Sequence, residues 1–356
     1  MNKLVIVLWL ATGISINVLA QNNNLSSKID QKDFDPATLL WYDAPAAAWE
    51  EALPVGNGRL GAMIFGKYEE ERIQINEETY WSGGPYSTVV KGGAEALPQI
   101  QKYIFEGQPI EAHKLFGRKL MGYPVEQQKY QSLANLHLFF ANQKEVTRYK
   151  RWLDLNTGIT SVEYTTGDIT YHREILTSTP DQVILVRLTA SKPGSLSFKV
   201  QLRGVRNSAH SNYATDYFRM DATGSDGLML NGKSADYMGI EGKLRYRAQL
   251  KAVPEGGTMT VTGDMLNIEK ADAVTLIIAA ATNFVNYKDV SANEVSRVQN
   301  YLEKVKGKSY EEMVSSSVEE YQKFFKRVSL ELPKTEQSYL PTNKRMAGLN
   351  ENADPS

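Results

Sequence analysis

The sequence predicts a mainly β protein, a large β-sandwich (supersandwich) with a helical insertion and a C-terminal helical linker. Three observations predict it. From Leu136 onward, short apolar or alternating runs recur between turn signals built on Gly, Asp and Pro. Between Gly93 and Met121 the apolar spacing changes to about one helical turn, at Leu97, Ile100 and Ile104. Toward the C-terminus, Ser309 followed by Glu312 forms a capping box that opens a helix.

The chain begins with Lys3 and an apolar run from Leu4 to Ile14, and Val18 and Ala20 suit cleavage before Gln21. Residues 1–20 therefore read as a secretory signal peptide. Ser15 and Asn17 interrupt the run, which falls short of the ~20 apolar residues of a membrane span. No cysteine follows it, so a lipobox anchor is excluded. The expectation is an exported protein, periplasmic or secreted, with no membrane span after signal cleavage. Residues 21–39 are polar and read as a flexible N-terminus.

Residues 40–290 carry the strand signals. Leu60 to Phe65, closed by Gly66, reads as a buried strand, and Glu69, Glu70 and Glu71 read as a solvated charged turn before the next one. The 93–121 segment reads as two helices, broken at Gly107 and restarted at Pro109, packed on the outside of a sheet. Ile159 to Tyr164 and Ile169 to Leu176 flank Gly167-Asp168 as a hairpin. Val183 to Thr189 and Leu196 to Leu202 read as a second pair around Lys192-Pro193-Gly194. Arg206 to Gly239, rich in Ser, Asn, Asp and Gly, reads as a long loop or irregular hairpin. Thr258 to Thr262 and Met265 to Ile268 form a third hairpin around Gly263-Asp264, and Val274 to Ala280 is a further strand. Residues 291–333 form the helical linker: Val314, Val318, Tyr321, Phe325 and Val328 make one apolar face, and Val328 to Leu332 reads as a closing strand. Residues 334–356 are a polar tail.

Composition narrows the function classes. Net charge is −1 with acids and bases interspersed, so no electrostatic footprint for nucleic acid or an anionic membrane is present. Cysteine is absent, so an exported fold of about 335 residues must be held by its core alone, a size ample for that. The four histidines, His113, His137, His172 and His210, show no ligand spacing. No cofactor and no metal site are expected from these residues.

The most informative segment runs from Trp41 to Pro85. It contains Trp49-Glu50-Glu51-Ala52-Leu53-Pro54-Val55-Gly56-Asn57-Gly58-Arg59-Leu60-Gly61, then Arg72-Ile73-Gln74-Ile75-Asn76-Glu77-Glu78-Thr79-Tyr80-Trp81-Ser82-Gly83-Gly84-Pro85. Gly56, Gly58 and Gly61 spell the dinucleotide fingerprint, which needs a strand before it and a helix after it. Here an apolar strand follows, so the glycines read instead as turn positions, with Asn57 suited to the same tight turn. Glu77 and Glu78 are adjacent carboxylates that an extended chain points to opposite faces, so they cannot act as an acid–base pair on one bond. Asn57, Arg59, Asn76, Glu77 and Trp81 are the substrate-binding or pocket-rim candidates, because the segment gathers amide, acid, guanidinium and indole side chains around tight backbone turns. The competing reading for Trp41, Trp49 and Trp81 is burial in the core or between domains. For Arg59 it is a bridge to a carboxylate of another domain, and for Glu77 a buried, hydrogen-bonded acid.

This segment closely resembles the opening of glycoside hydrolase family 95, the α-L-fucosidases. The resemblance continues through Tyr130-Gln131-Ser132-Leu133, Tyr149-Lys150-Arg151-Trp152-Leu153-Asp154-Leu155, Tyr171-His172-Arg173-Glu174, Ser178-Thr179-Pro180-Asp181-Gln182-Val183, and Glu320-Tyr321-Gln322 with Phe325 and Arg327-Val328. It covers residues 40 to about 345. Ser317 stands where members of that family usually carry a His. The resemblance implies an N-terminal β-sandwich and a linker, followed by an (α/α)6 barrel that holds the chemistry. It also implies a fucosylated glycan as substrate, with α-1,2-linked fucose removed by inversion, a Glu as general acid and an Asn polarised by an Asp activating water. Those catalytic residues belong to the barrel, so none is expected within residues 1–356, and the chain alone is expected to be inactive. The alternative is a stand-alone carbohydrate-binding or interaction module.

Overall fold

A computed structural model describes residues 29, 34–125, 127–141, 145–205 and 218–348. The predicted signal peptide and His210 lie outside them. Ile29 and Phe34 belong to one compact unit, and the strands and helices named here to a second, Asp35–Ser356.

The sandwich is present. Its strands are β1 (Leu39–Tyr42), β2 (Leu53–Gly56), β3 (Leu60–Ile64), β4 (Glu70–Glu77), β5 (Ala134–Phe140), β6 (Val146–Asp154), β7 (Ile159–Thr166) and β8 (Ile169–Ser178). They continue as β9 (Val183–Ala190), β10 (Leu196–Gly204), β11 (Phe218–Thr223), β12 (Gly227–Lys233), β13 (Arg245–Glu255), β14 (Thr258–Thr262), β15 (Met265–Ala271) and β16 (Ala273–Thr282). Nine form one antiparallel sheet in the order β1-β6-β7-β8-β9-β16-β13-β12-β11, and seven form the other as β14-β15-β10-β5-β4-β3-β2. The core lies between them. Ile73 and Ile75 of β4 and Leu136 and Leu138 of β5 meet Val162, Leu250 and Ile278 from the facing sheet.

β16 shows how sequence pattern follows burial. All ten of its residues are buried, because its two faces have different covers. Leu276, Ile278 and Ala280 point into the sandwich. Ile277, Ala279 and Ala281 meet Val298 and Val305 of helix α3 (Glu294–Val305). A strand covered on both sides reads as a continuous apolar run. Helix α4 (Tyr310–Phe325) carries the expected capping box of Ser309 and Glu312, and buries Met313 and Ser317. The Ser317 hydroxyl donates to the Met313 carbonyl at 2.6 Å.

Several sequence expectations are corrected. β9 and β10 do not pair with each other: β9 lies between β8 and β16, and β10 between β5 and β15. The Lys192-Pro193-Gly194 turn therefore crosses from one sheet to the other, which an alternating pattern on both strands permits equally well. Arg206 to Gly239 contains a regular hairpin, β11 with β12, marked by Leu228 and Leu230 on the core side; residues 206–217 of that stretch lie outside the described ones. Glu71 is not solvated. It is wholly buried in β4 and paired with Arg173 of β8, and its Oε1 accepts from the Gly66 and Arg72 amides at 2.8 and 3.1 Å. Val328 to Leu332 forms no strand and leaves Val328 and Leu330 exposed.

The two-helix insertion is α1 (Gly93–Phe105) and α2 (Pro109–Lys119). The helices pack chiefly on each other rather than on a sheet, burying Ile100 and Ala112 and leaving Phe105 87% exposed. Beyond the linker, a helical turn at Glu336–Tyr339 and helix α5 (Thr342–Gly348) return to β1, where the Trp41 amide donates to the Thr342 hydroxyl at 3.1 Å.

Candidate functional site

The β2–β3 connection is a tight turn and not a strand–helix fingerprint. Gly56 pairs with Gly61 across the hairpin, and Gly58 takes φ 88° with nothing near its absent side chain. The Asn57 side chain builds the turn. Its Oδ1 accepts from the Arg59 and Leu60 amides at 3.1 and 2.8 Å, and its Nδ2 donates to the Ser178 carbonyl at 2.9 Å. Asn57 therefore ties the first hairpin to the facing sheet.

Arg59 extends the same tie. Its Nε donates to Gln182 Oε1 at 2.6 Å, Nη1 to the Ala280 carbonyl at 2.6 Å, and Nη2 to the Gln182 carbonyl at 3.1 Å. Nη1 also lies 3.5 Å from Glu77 Oε1. The guanidinium stacks 4.7 Å over the Tyr301 ring of α3. Glu77 ends β4 only 3% exposed. Its Oε2 accepts from the Thr79 amide at 2.9 Å and the Thr79 hydroxyl at 2.6 Å, and that hydroxyl also bonds Thr282 at the end of β16. Burial pushes the Glu77 carboxyl above its ordinary range, against the opposing pull of Thr79 and Arg59.

The structure thus brings Asn57, Arg59 and Glu77 into one network between the sheets, in which Glu77 is buried and the other two are half-buried. Asn76 stands apart from it. One residue before Glu77, it takes the other face of β4 by strand alternation, with a buried Oδ1 that accepts no hydrogen bond. Trp81 lies beyond the strand and is 41% exposed. Its Nε1 donates to the Glu78 carbonyl at 3.0 Å, and its ring meets Tyr130 edge-on with centroids 5.2 Å apart. Trp41 is half-buried and Trp49 exposed, and among the described residues the buried indole is Trp152 instead.

Sequence reasoning missed Gln182, Thr79, Thr282, Tyr130 and Tyr301. The Ser178-to-Val183 motif was the available signal, because Gln182 takes φ 62° there and so aims both its side chain and its carbonyl at Arg59. Chemically, the network sets shape. Every Arg59 nitrogen of the guanidinium has an acceptor, and Glu77 is shielded from water. Two concavities, one of about 140 Å³ beside Ser317 and Tyr321 and a groove of about 840 Å³ between β13 and α3, are lined by none of the five candidate residues. Among the described residues no cluster of His, Asp or Glu is arranged to hold a metal, and no helix is long and apolar enough to cross a membrane.

Comparison with known proteins places this geometry. Residues 40–287 match the family model described as the glycosyl hydrolase family 65 N-terminal domain. The chain is 30% identical to alpha-L-fucosidase 2 of Arabidopsis thaliana, over 99% of this chain and 44% of that protein. It is 28% identical to the probable alpha-fucosidase A of Aspergillus niger, over 90% of this chain and 41% of that protein. It therefore spans less than half the length of these curated relatives. Among solved structures, a putative kojibiose phosphorylase from human microbiome superposes with TM-score 0.51 at 9% identity, covering 86% of this chain and 40% of that one. That likeness concerns the fold.

Proposed function

Since the chain belongs to the family whose model is the glycosyl hydrolase family 65 N-terminal domain, we propose that it is the N-terminal sandwich and linker of an exported α-L-fucosidase of family 95 type, acting on α-1,2-linked fucose of glycans. Residues 1–20 serve as its signal peptide. The chemistry resides in an (α/α)6 barrel outside residues 1–356, where a Glu protonates the leaving oxygen and an Asn–Asp pair activates water on the opposite face. Inversion needs acid and base far enough apart to admit that water.

The observation that carries this reading is the state of Glu77. It is the sole carboxylate among the candidate residues, and it is buried and held by Thr79 and Arg59. An acid so placed cannot reach a glycosidic oxygen, so the sandwich supports a site made elsewhere. The exposed apolar residues Phe324, Val328 and Leu330, at and after the end of the linker helix, support a covering partner domain.

Fucose release from 2′-fucosyllactose tests the reading. Residues 21–356 alone are expected to release none, while a polypeptide joining them to the barrel releases fucose with inverted anomeric configuration, read by NMR. Turnover by residues 21–356 alone, abolished by Glu77→Gln, would place the chemistry in the sandwich and overturn the proposal.

A further inference from the structure

Trp81 and Tyr130 form a rigid aromatic pair that the Arg59 network does not use. Their backbones are joined by an isolated antiparallel bridge. On either side the Gln131 amide donates to the Tyr80 carbonyl at 3.0 Å and the Ser82 amide to the Lys129 carbonyl at 2.8 Å. The polar ends of both rings are tied to consecutive carbonyls of one segment. Trp81 Nε1 donates to Glu78 at 3.0 Å and the Tyr130 hydroxyl to Glu77 at 3.3 Å. The rings meet at 67°, and the two residues remain 41% and 40% exposed.

The exposed indole offers a ligand large apolar area to cover. Here the ring is also immobilised, which removes most of the entropy lost when a ligand stacks on it. With Nε1 and the phenol hydroxyl occupied internally, what faces outward is chiefly apolar ring surface. Such a surface matches the C–H face of a pyranose, and the exposed Glu78 beside it offers an acceptor to the ring's hydroxyls. A phosphate or nucleotide would meet a carboxylate at the same place.

We propose that Trp81 and Tyr130 form a glycan platform on this domain, with Trp81 stacking on one pyranose ring of the substrate glycan. The proposal rests on the glycoside hydrolase reading, and deepens it by assigning the sandwich a direct contact with the sugar chain.

The test is calorimetric titration of residues 21–356 with 2′-fucosyllactose and with lactose, with acrylamide quenching of tryptophan fluorescence in parallel. Saturable binding of 2′-fucosyllactose is expected, weakened about tenfold in Trp81→Ala. Trp81→Phe keeps a ring and is expected to fall between the two. Trp49→Ala is the control, since Trp49 is 49% exposed and lies away from the pair in sequence and in strand pairing; its binding should match the parent. Should Trp81→Ala fail to fold, Trp81→Phe and sugar protection of the parent's indole from acrylamide decide the matter. Absence of any saturable response to either sugar, as a platform for a protein partner would give, overturns the proposal, as does binding unchanged in Trp81→Ala. Equal, Trp81-dependent binding of lactose and 2′-fucosyllactose upholds the platform and shows that the stacked ring is not the fucose. The enzymatic reading is decided separately, by fucose release from the longer polypeptide.

Discussion

The Arg59 guanidinium lies 3.5 Å from the Glu77 carboxylate, yet its shortest bonds go to Gln182 and the Ala280 carbonyl in the opposite sheet. Arg59 is thus a cross-link first and an ion-pair partner second. It joins the first hairpin, the end of β4, the turn before β9 and helix α3 through one side chain. Asn57 and Thr79 tie the same end of the sandwich through Ser178 and Thr282.

Arg59→Ala should therefore destabilise the domain by about 2–4 kcal/mol, because it takes the counter-charge from Glu77 and the donor from the Ala280 carbonyl and both Gln182 oxygens. Arg59→Lys keeps the charge but not the fork of nitrogens, and should recover a minor share. Urea unfolding midpoints check both. A loss below about 1 kcal/mol for Arg59→Ala would show that the network relaxes freely.

Glu77 makes stability depend on pH. Its carboxyl is raised above 4.5 by burial. Between 4.5 and the raised native value the folded state holds more protons than the unfolded one, so stability falls as pH rises through that window. The contribution is fully present below 4.5 and lost above the native value. Glu77→Gln removes the titration while its amide oxygen still accepts from Thr79. Relative to Glu77→Gln, the parent should lose stability from pH 4.5 upward. Parallel pH profiles for the two proteins would contradict this assignment.

How much was legible follows from sequence distance. Hairpins closed by Gly167-Asp168 and Gly263-Asp264 were readable because turn and strands are contiguous. So was the capping box at Ser309, a relation across three residues. The placement of β9 and β10 in different sheets was not, since alternation specifies a buried face and not a neighbour. Glu71 looked solvated among three glutamates because its partner Arg173 is 102 residues away. The five site candidates were found by composition. That three of them close on each other and two do not depends on Gln182, Ala280 and the face on which Asn76 falls, none of which spacing reveals.

The Glu71–Arg173 pair is buried on both sides, with the Arg173 guanidinium also near the Phe140 and Tyr164 rings. Removing one partner leaves a charge without compensation in the core. Arg173→Met or Glu71→Leu alone should cost about 3–5 kcal/mol, and the double substitution less than either single, because no charge remains to be desolvated. A double-mutant cycle of chemical denaturation measures this. Additive losses would mean that the two side chains act independently.

The edge of the nine-stranded sheet supplies the last prediction. β1 pairs on one side with β6, and its other side would present unpaired backbone, the usual template for association between chains. Helix α5 lies there instead: the Thr342 hydroxyl takes the Trp41 amide and Lys344 reaches Asp43 at 2.7 Å. The surface ion pair contributes little, so Lys344→Ala should change stability by less than about 0.5 kcal/mol. Thr342→Val should cost about 1 kcal/mol by leaving the amide without an acceptor. Removing residues 334–356 should have a different signature. The unfolding midpoint moves little, because few core residues are lost, while light scattering on warm incubation rises as bare β1 edges meet. Equal scattering from the shortened and full chains would show that the edge is protected by something other than α5.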